Sequence, residues 1–276
     1  MFATTRQLLT ETLRVVSSNP ILVVKVCGAW TVLSAMTFLI TGIEPDDYLD
    51  IASSFQLLHI PPMIILMIGL TSGAVTWIRA IQLNEDVFWI NLNLNSRYIR
   101  LFIKYSFITL GSFSIAFTVA RFCSHFFNIF YYRYLLNDGN SLFLFLLPDN
   151  LDYFFYVFIF LYFFLTSHAP SSLVVPAISL GRNLTISQAV KLSEGARFSI
   201  FVLAAPLFLS MKIAILFSLR FIAVNGLYSP FGILFLFLVF AILHVGSVVY
   251  VTLLTRAYFL LRERQANAAQ QAQPPV

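Results

Sequence analysis

The side chains in this sequence with the greatest chemical reach are few. His168, His244, Lys212, Arg220 and Arg121 all fall within or at the edge of long apolar runs. An imidazole inside a membrane can carry a proton, hold a metal or bind a polar solute. His168 and His244 each lie about 15 residues into a run that crosses in the same direction, so they share a depth of roughly 20–22 Å. Shared depth lets them face each other across a bundle. The plainer reading gives each a neighbouring carbonyl or hydroxyl, with Ser167 and Ser247 close by in sequence. Lys212 is a cation within a span, which is costly and therefore a functional candidate. Snorkelling outward as a topology anchor is its simpler role. A pocket shared by Lys212, Arg220 and Arg121 and occupied by a lipid phosphate is the sharper one. Gly69 and Gly73 form a GxxxG pair, a candidate packing seam at which another helix can approach closely.

The absences are equally informative. All 12 acidic residues fall outside the apolar runs, so a carboxylate proton relay is disfavoured. No GxSxG elbow, Walker loop, HExxH pair or metal-spaced Cys/His cluster is present in the sequence. No catalytic residue, metal ligand or cofactor is therefore assigned, and the expectation is a protein that is not an enzyme. Cys27 and Cys123 fall near opposite ends of their runs, too far apart for a disulfide, and read as packing thiols.

The elements that must position these groups follow from composition. The 276 residues are 59% hydrophobic and only 11% charged, with 30 phenylalanines and a mean hydropathy of +0.85. A soluble domain carries about 25% charged residues. Runs of about 20 apolar residues suit helices crossing about 30 Å of hydrocarbon. The fold class expected is all-α: a polytopic membrane helix bundle of six transmembrane helices with short membrane-surface helices. The spans read as about 20–41, 61–81, 101–120, 153–180, 198–220 and 230–256, within a domain of residues 20–262. Residues 1–19 read as a cytoplasmic amphipathic helix on Leu9, Leu13 and Val16 rather than a signal peptide, and 263–276 as a disordered tail.

Punctuation residues sharpen the boundaries. Asn19-Pro20 and Ser229-Pro230 read as helix starts, Gly42 as a stop, and Asn225-Gly226 as a turn. Span 4, at about 42 Å, is too long to be straight and carries Pro170 and Pro176, which predicts a kink or an unwound turn. After it, Thr185 and Gln188 fit a capping box and Gly195 fits the stop of a short surface helix. The aromatic stretch after Arg121 reads as an interfacial helix and cap over residues 121–152. Taking the tails and the loops after spans 2 and 4 as one side places 13 basic and five acidic residues there, a charge of +8. The other side holds four and seven, a charge of −3. The positive-inside rule then puts both termini in the cytoplasm.

An offset of 97 positions brings Ala80-Ile81-x-Leu83 onto Ala177-Ile178-x-Leu180, and Ser96 and Arg100 onto Ser193 and Arg197. Such matches arise readily in an apolar chain, so repeat and coincidence both stay open. The stretch PAISLGRNLTISQAVKLSEGARFSIF, with its Pro-Ala-x-x-x-Gly exit and Gln-Ala-x-x-Leu-Ser-x-Gly elbow, resembles a recurring piece of uncharacterised bacterial six-helix integral membrane proteins. It is also similar to the glycerophosphodiester phosphodiesterase membrane-domain-like family, as TWIRAIQLNED is to the exit of span 2 in such proteins. The resemblance implies a bacterial inner-membrane protein. The phosphodiesterase's soluble catalytic domain has no counterpart in these residues, so no reaction carries over.

These readings converge on an accessory, scaffold or lipid-interacting bundle. Its partners would be membrane lipids and a second copy or another membrane protein, not nucleic acid. The alternative is a transporter or channel for a small solute or lipid, drawn from the offset and the broken fourth span. A midplane cavity lined by His168, His244 and the proline break would favour transport; an exposed Gly69–Gly73 face would favour assembly.

Overall fold

The computed structural model describes residues 2–41, 60–88, 96–130, 151–194 and 196–271. The helices in order are α1 (Phe2–Ser17), α2 (Pro20–Thr41), α3 (Ile60–Leu83), α4 (Ser96–Phe130), α5 (Leu151–Ser172), α6 (Val174–Ser179), α7 (Ile186–Leu192), α8 (Arg197–Asn225) and α9 (Pro230–Gln271). No strand occurs among the described residues. Six helices are long and apolar enough to cross a membrane: α2, α3, α4, the α5–α6 pair, α8 and α9. The fold is an all-α bundle of a multi-pass membrane protein. Apolar residues on every face require a backbone that bonds only to itself, which a helix provides.

Helix α9 is the axis of the bundle. It packs against α8, α2, α1, α3, α6 and α7, while α5 packs against α4 and α8. One core cluster gathers Leu8, Trp77, Ile78, Leu165, Val174, Leu254 and Tyr258, all nearly inaccessible. A smaller one, of Ala35, Ile222, Leu227, Leu236 and Phe240, closes the opposite end. There the Tyr228 hydroxyl donates to Leu39 O at 3.3 Å. Side-chain bonds fix the register between helices: Trp77 Nε1 donates to Thr252 Oγ1 at 2.8 Å, and Arg79 Nη1 to Ser179 O at 3.1 Å. Arg79 also pairs with Glu85, so one guanidinium ties the exits of α3 and α6 together.

Helix α2 begins at Pro20, with Asn19 O accepting from Val23 N at 3.1 Å. The Asn19 side chain instead donates backward to Val15 O at 2.8 Å, closing α1. The fourth span is interrupted at Leu173. Pro176 has no N–H to offer Ser172 O, and Leu173 N turns to Pro170 O at 3.4 Å, an i−3 bond. Pro206, alone in α8, leaves that helix continuous. At the end of α6, Gly181 takes a φ of 75°, and Arg182 N donates to Ala177 O at 2.8 Å, a Schellman stop. The Thr185–Gln188 capping box is complete in both directions, at 3.2 and 3.0 Å.

Several boundaries move. Helix α4 runs to Phe130 rather than ending at Ala120, because no Gly or Pro breaks the aromatic stretch after Arg121. Helix α9 continues past Arg256 to Gln271, so the tail expected to be disordered from 263 is helical up to that residue; Arg, Gln and Ala are strong helix formers. On α1 the packed face is Leu8 and Thr12, whereas Leu9 and Leu13 stay exposed. Glu11 lies 4.0 Å from Arg256, which docks α1 on α9. Gly42, Gly195 and most of residues 121–152 beyond Phe130 lie outside the described residues, as does part of the 97-residue offset.

Candidate functional site

Three polar places could carry function: two inside the bundle and one at its end. The first is built on His168, which is 1% exposed. Its Nδ1 pairs with the Tyr250 hydroxyl at 3.1 Å and the Ser172 hydroxyl at 3.1 Å, and its Nε2 with Thr109 Oγ1 at 3.3 Å. The ring stacks on Phe164 and meets the edge of Tyr105. Helix α5 supplies His168, Ser172 and Phe164, α4 supplies Thr109 and Tyr105, and α9 supplies Tyr250. Ser172 comes from one turn on, just before the Leu173 interruption. Both ring nitrogens are therefore engaged by hydroxyls of the bundle.

Beside this knot is a cavity of about 120 Å³, lined by Thr71, Tyr105, Phe208, Met211, Ser247 and Tyr250 among others. Small-molecule sites are commonly about 300–1,000 Å³. The cavity accommodates a few waters, with hydroxyls of Thr71, Ser247 and the tyrosines on its wall.

The second place surrounds His244, 3% exposed, whose Nδ1 donates to Phe240 O at 2.8 Å. Its Nε2 has no partner among the described residues, and neither has the buried Trp30 Nε1. A Cβ placed on Gly69 would lie 3.0 Å from that Nε2 and 3.0 Å from Trp30 Cε3. The glycine is what lets α3 approach both α2 and α9. Gly73 is looser, with Val26 Cγ1 at 3.6 Å from its added Cβ. The GxxxG seam is thus an internal one, buried on α2 and α9, and not an exposed face.

The structure does not bring the two histidines together. His168 belongs to the corner of α4, α5 and α9, His244 to that of α2, α3 and α9. Six residues separate Tyr250 from His244 on α9, which turns them onto different faces of the helix. Nor are Lys212, Arg220 and Arg121 assembled into one pocket. Arg121 stands on α4 with its guanidinium 5.9 Å from the centre of the Phe117 ring. Lys212 and Arg220 stand on α8, and α5 packs between these two helices. Cys27 and Cys123 are free thiols.

The third place escaped the sequence. A cleft of about 820 Å³ lies where the turn after α6, the short helix α7 and the late part of α9 meet. Arg182, Lys191 and Arg262 line it, one from each element, together with Asn183, Gln188, Gln265 and Tyr258. No carboxylate lines it among the described residues. Arg262 Nη1 donates to the Tyr258 hydroxyl at 3.3 Å, with the guanidinium 5.8 Å from the ring centre. Arg182 follows the glycine stop of α6, and Lys191 follows the capped start of α7, both visible in the sequence. Arg262 had no such signal, because only the length and docking of α9 bring it there.

Among the described residues no group of three or more His, Cys, Asp or Glu side chains gathers as metal ligands would. Comparison with protein-family models, curated proteins and solved structures gives no match to this chain.

Proposed function

We propose that this chain is a non-enzymatic protein of the bacterial inner membrane, with both termini cytoplasmic, that serves as an accessory or scaffold bundle and has membrane lipids as its immediate ligands. The resemblance of the α6–α8 elbow to bacterial six-helix membrane proteins belongs to the same reading. The observation that carries it is the surface of α8. Only 11% of its spanning window is buried, and Phe198, Leu209, Ile213, Phe217 and Val224 stand exposed along it. A helix so apolar and so little covered needs acyl chains around it. The titratable group best placed for chemistry, His168, is instead held by hydroxyls from three helices.

The test is native mass spectrometry on protein extracted with its surrounding bilayer. Specific retained phospholipids are expected. Impermeant labelling of cysteines introduced at positions 4 and 274 should require permeabilised cells; labelling of intact cells would refute the orientation. Transport is the second reading, favoured by the 120 Å³ cavity beside the Leu173 interruption. Solute flux in proteoliposomes that disappears in Tyr250→Phe would establish it over the scaffold reading.

A further inference from the structure

We infer that the cleft formed by the Arg182–Leu184 turn, α7 and the late part of α9 is a binding site for a phosphate group, presented by an anionic phospholipid headgroup or by a soluble phosphate ester. The lipid form of this inference rests on the membrane-lipid reading above; the phosphate chemistry does not.

Three arguments converge. The first is charge. Arg182, Lys191 and Arg262 line one cleft of about 820 Å³ that has no carboxylate on its wall among the described residues. Neither Arg182 nor Lys191 makes an ion pair among the described residues, although the chain forms such pairs elsewhere, as in Arg79 with Glu85. Three like charges brought together repel one another, and an anion between them turns the repulsion into attraction.

The second is chemistry. The cleft offers two guanidinium forks and an ammonium, flanked by the amides of Asn183, Gln188 and Gln265. Such a set supplies many N–H donors and matches the several acceptor oxygens of a phosphate. Arg262 is already oriented by the Tyr258 ring and hydroxyl, which lowers the ordering cost of a bidentate contact.

The third is placement. The floor carries Leu184 and Leu192, and Ile186 and Phe198 beside it stand exposed. This elbow has apolar side chains to lie on a bilayer, and its cations begin just past the fourth apolar span, which ends at Ser179; a basic pocket so placed suits anionic headgroups. The scaffold is firm. Ala189 of α7 and Ser193 at its C-cap are fully buried, the capping box fixes the helix start, and the Schellman bonds fix Arg182.

The experiment uses the full chain in nanodiscs or micelles, with phosphatidylglycerol against phosphatidylcholine as lipid probes and inorganic phosphate and glycerol 3-phosphate as soluble ones. Each cation removed should weaken phosphatidylglycerol binding about fivefold, and the triple variant Arg182→Ala, Lys191→Ala, Arg262→Ala on the order of a hundredfold. Arg14→Ala, on α1, is the control for diffuse surface attraction and should change binding less than about twofold. The three side chains are exposed, so thermal unfolding should stay at the wild-type value; Arg182→Lys with Arg262→Lys, which keeps the charge, should retain part of the affinity. Phosphatidylglycerol binding unchanged in the triple variant, or lost equally in Arg14→Ala, overturns the site. Binding of glycerol 3-phosphate alone, lost in the triple variant, keeps the site and assigns a soluble source. Lipids retained equally by all variants sink the cleft and leave the lipid reading intact. Loss of soluble phosphate binding with no lipid retained anywhere does the reverse.

Discussion

Replacing Gly69 by alanine adds one methyl group where α3 passes close to α2 and α9. Its ideal position is 3.0 Å from His244 Nε2, 3.0 Å from Trp30 Cε3 and 3.2 Å from Trp30 Cβ. Carbon atoms prefer separations of about 3.5–4.0 Å. The imidazole and indole can tilt, but Trp30 Cβ is bonded directly to the α2 backbone, so α2 itself must move away. Overpacking of this kind costs about 1–3 kcal/mol, while exchanging glycine for alanine inside a helix gains about 0.5–1 kcal/mol. A net loss of about 1–2 kcal/mol is expected. Three helical glycines with looser surroundings provide the scale. Gly73→Ala meets Val26 Cγ1 at 3.6 Å, an ordinary contact, and Gly28→Ala and Gly111→Ala meet nothing within 4 Å. Those three should be neutral or stabilising. Unfolding of all four variants by sodium dodecyl sulfate in mixed micelles measures the series. If Gly69→Ala proves as stable as Gly73→Ala, the close approach of α3 to α2 and α9 is wrong.

Two further outcomes follow from the bonds between helices. His168→Leu should cost about 1–3 kcal/mol, because the buried hydroxyls of Tyr250 and Ser172 and the part-buried one of Thr109 each lose a partner. Adding Tyr250→Phe should then change stability by less than about 1 kcal/mol in the same unfolding assay, since in the single variant its hydroxyl keeps Ser172; a larger recovery would show that His168 was its only effective partner. Arg79→Gln separates the exits of α3 and α6 and should cost about 1 kcal/mol, the pair with Glu85 being partly exposed. It should also speed limited proteolysis between residues 180 and 185, and an unchanged cleavage rate would refute the tie to Ser179.

Local punctuation was legible in the chain and long-range placement was not. The Asn19-Pro20 start, the Thr185–Gln188 box and the break between Pro170 and Pro176 are each set by residues within one or two turns, so the local sequence contains their causes. The ends of α4 and α9 were misread for a related reason. Aromatic and polar composition suggested a change of environment, but a helix stops only where its hydrogen bonding is broken, and nothing after Ala120 or Arg256 breaks it at once. The GxxxG pair announced a close approach without saying to what; Trp30 and His244 occupy that place, and both come from other helices. The pairing of the two histidines failed because depth along a span says nothing about azimuth. Likewise the cations gathered at the cleft are 9 and 71 residues apart in sequence, so only the docking of α7 against α9 brings them together.

The uninterrupted length of α9 has a mechanical consequence. Its 42 residues make a rod of about 63 Å, roughly twice the hydrocarbon thickness. Tyr250, at the heart of the bundle, and Arg262, at the basic cleft, are points on that one rod about 18 Å apart. A tilt of only about 5° about Tyr250 swings Arg262 by about 1.6 Å, more than a hydrogen bond tolerates. Whatever grips the outer end of the lever therefore applies torque to the His168 knot, and loosening the knot slackens the grip.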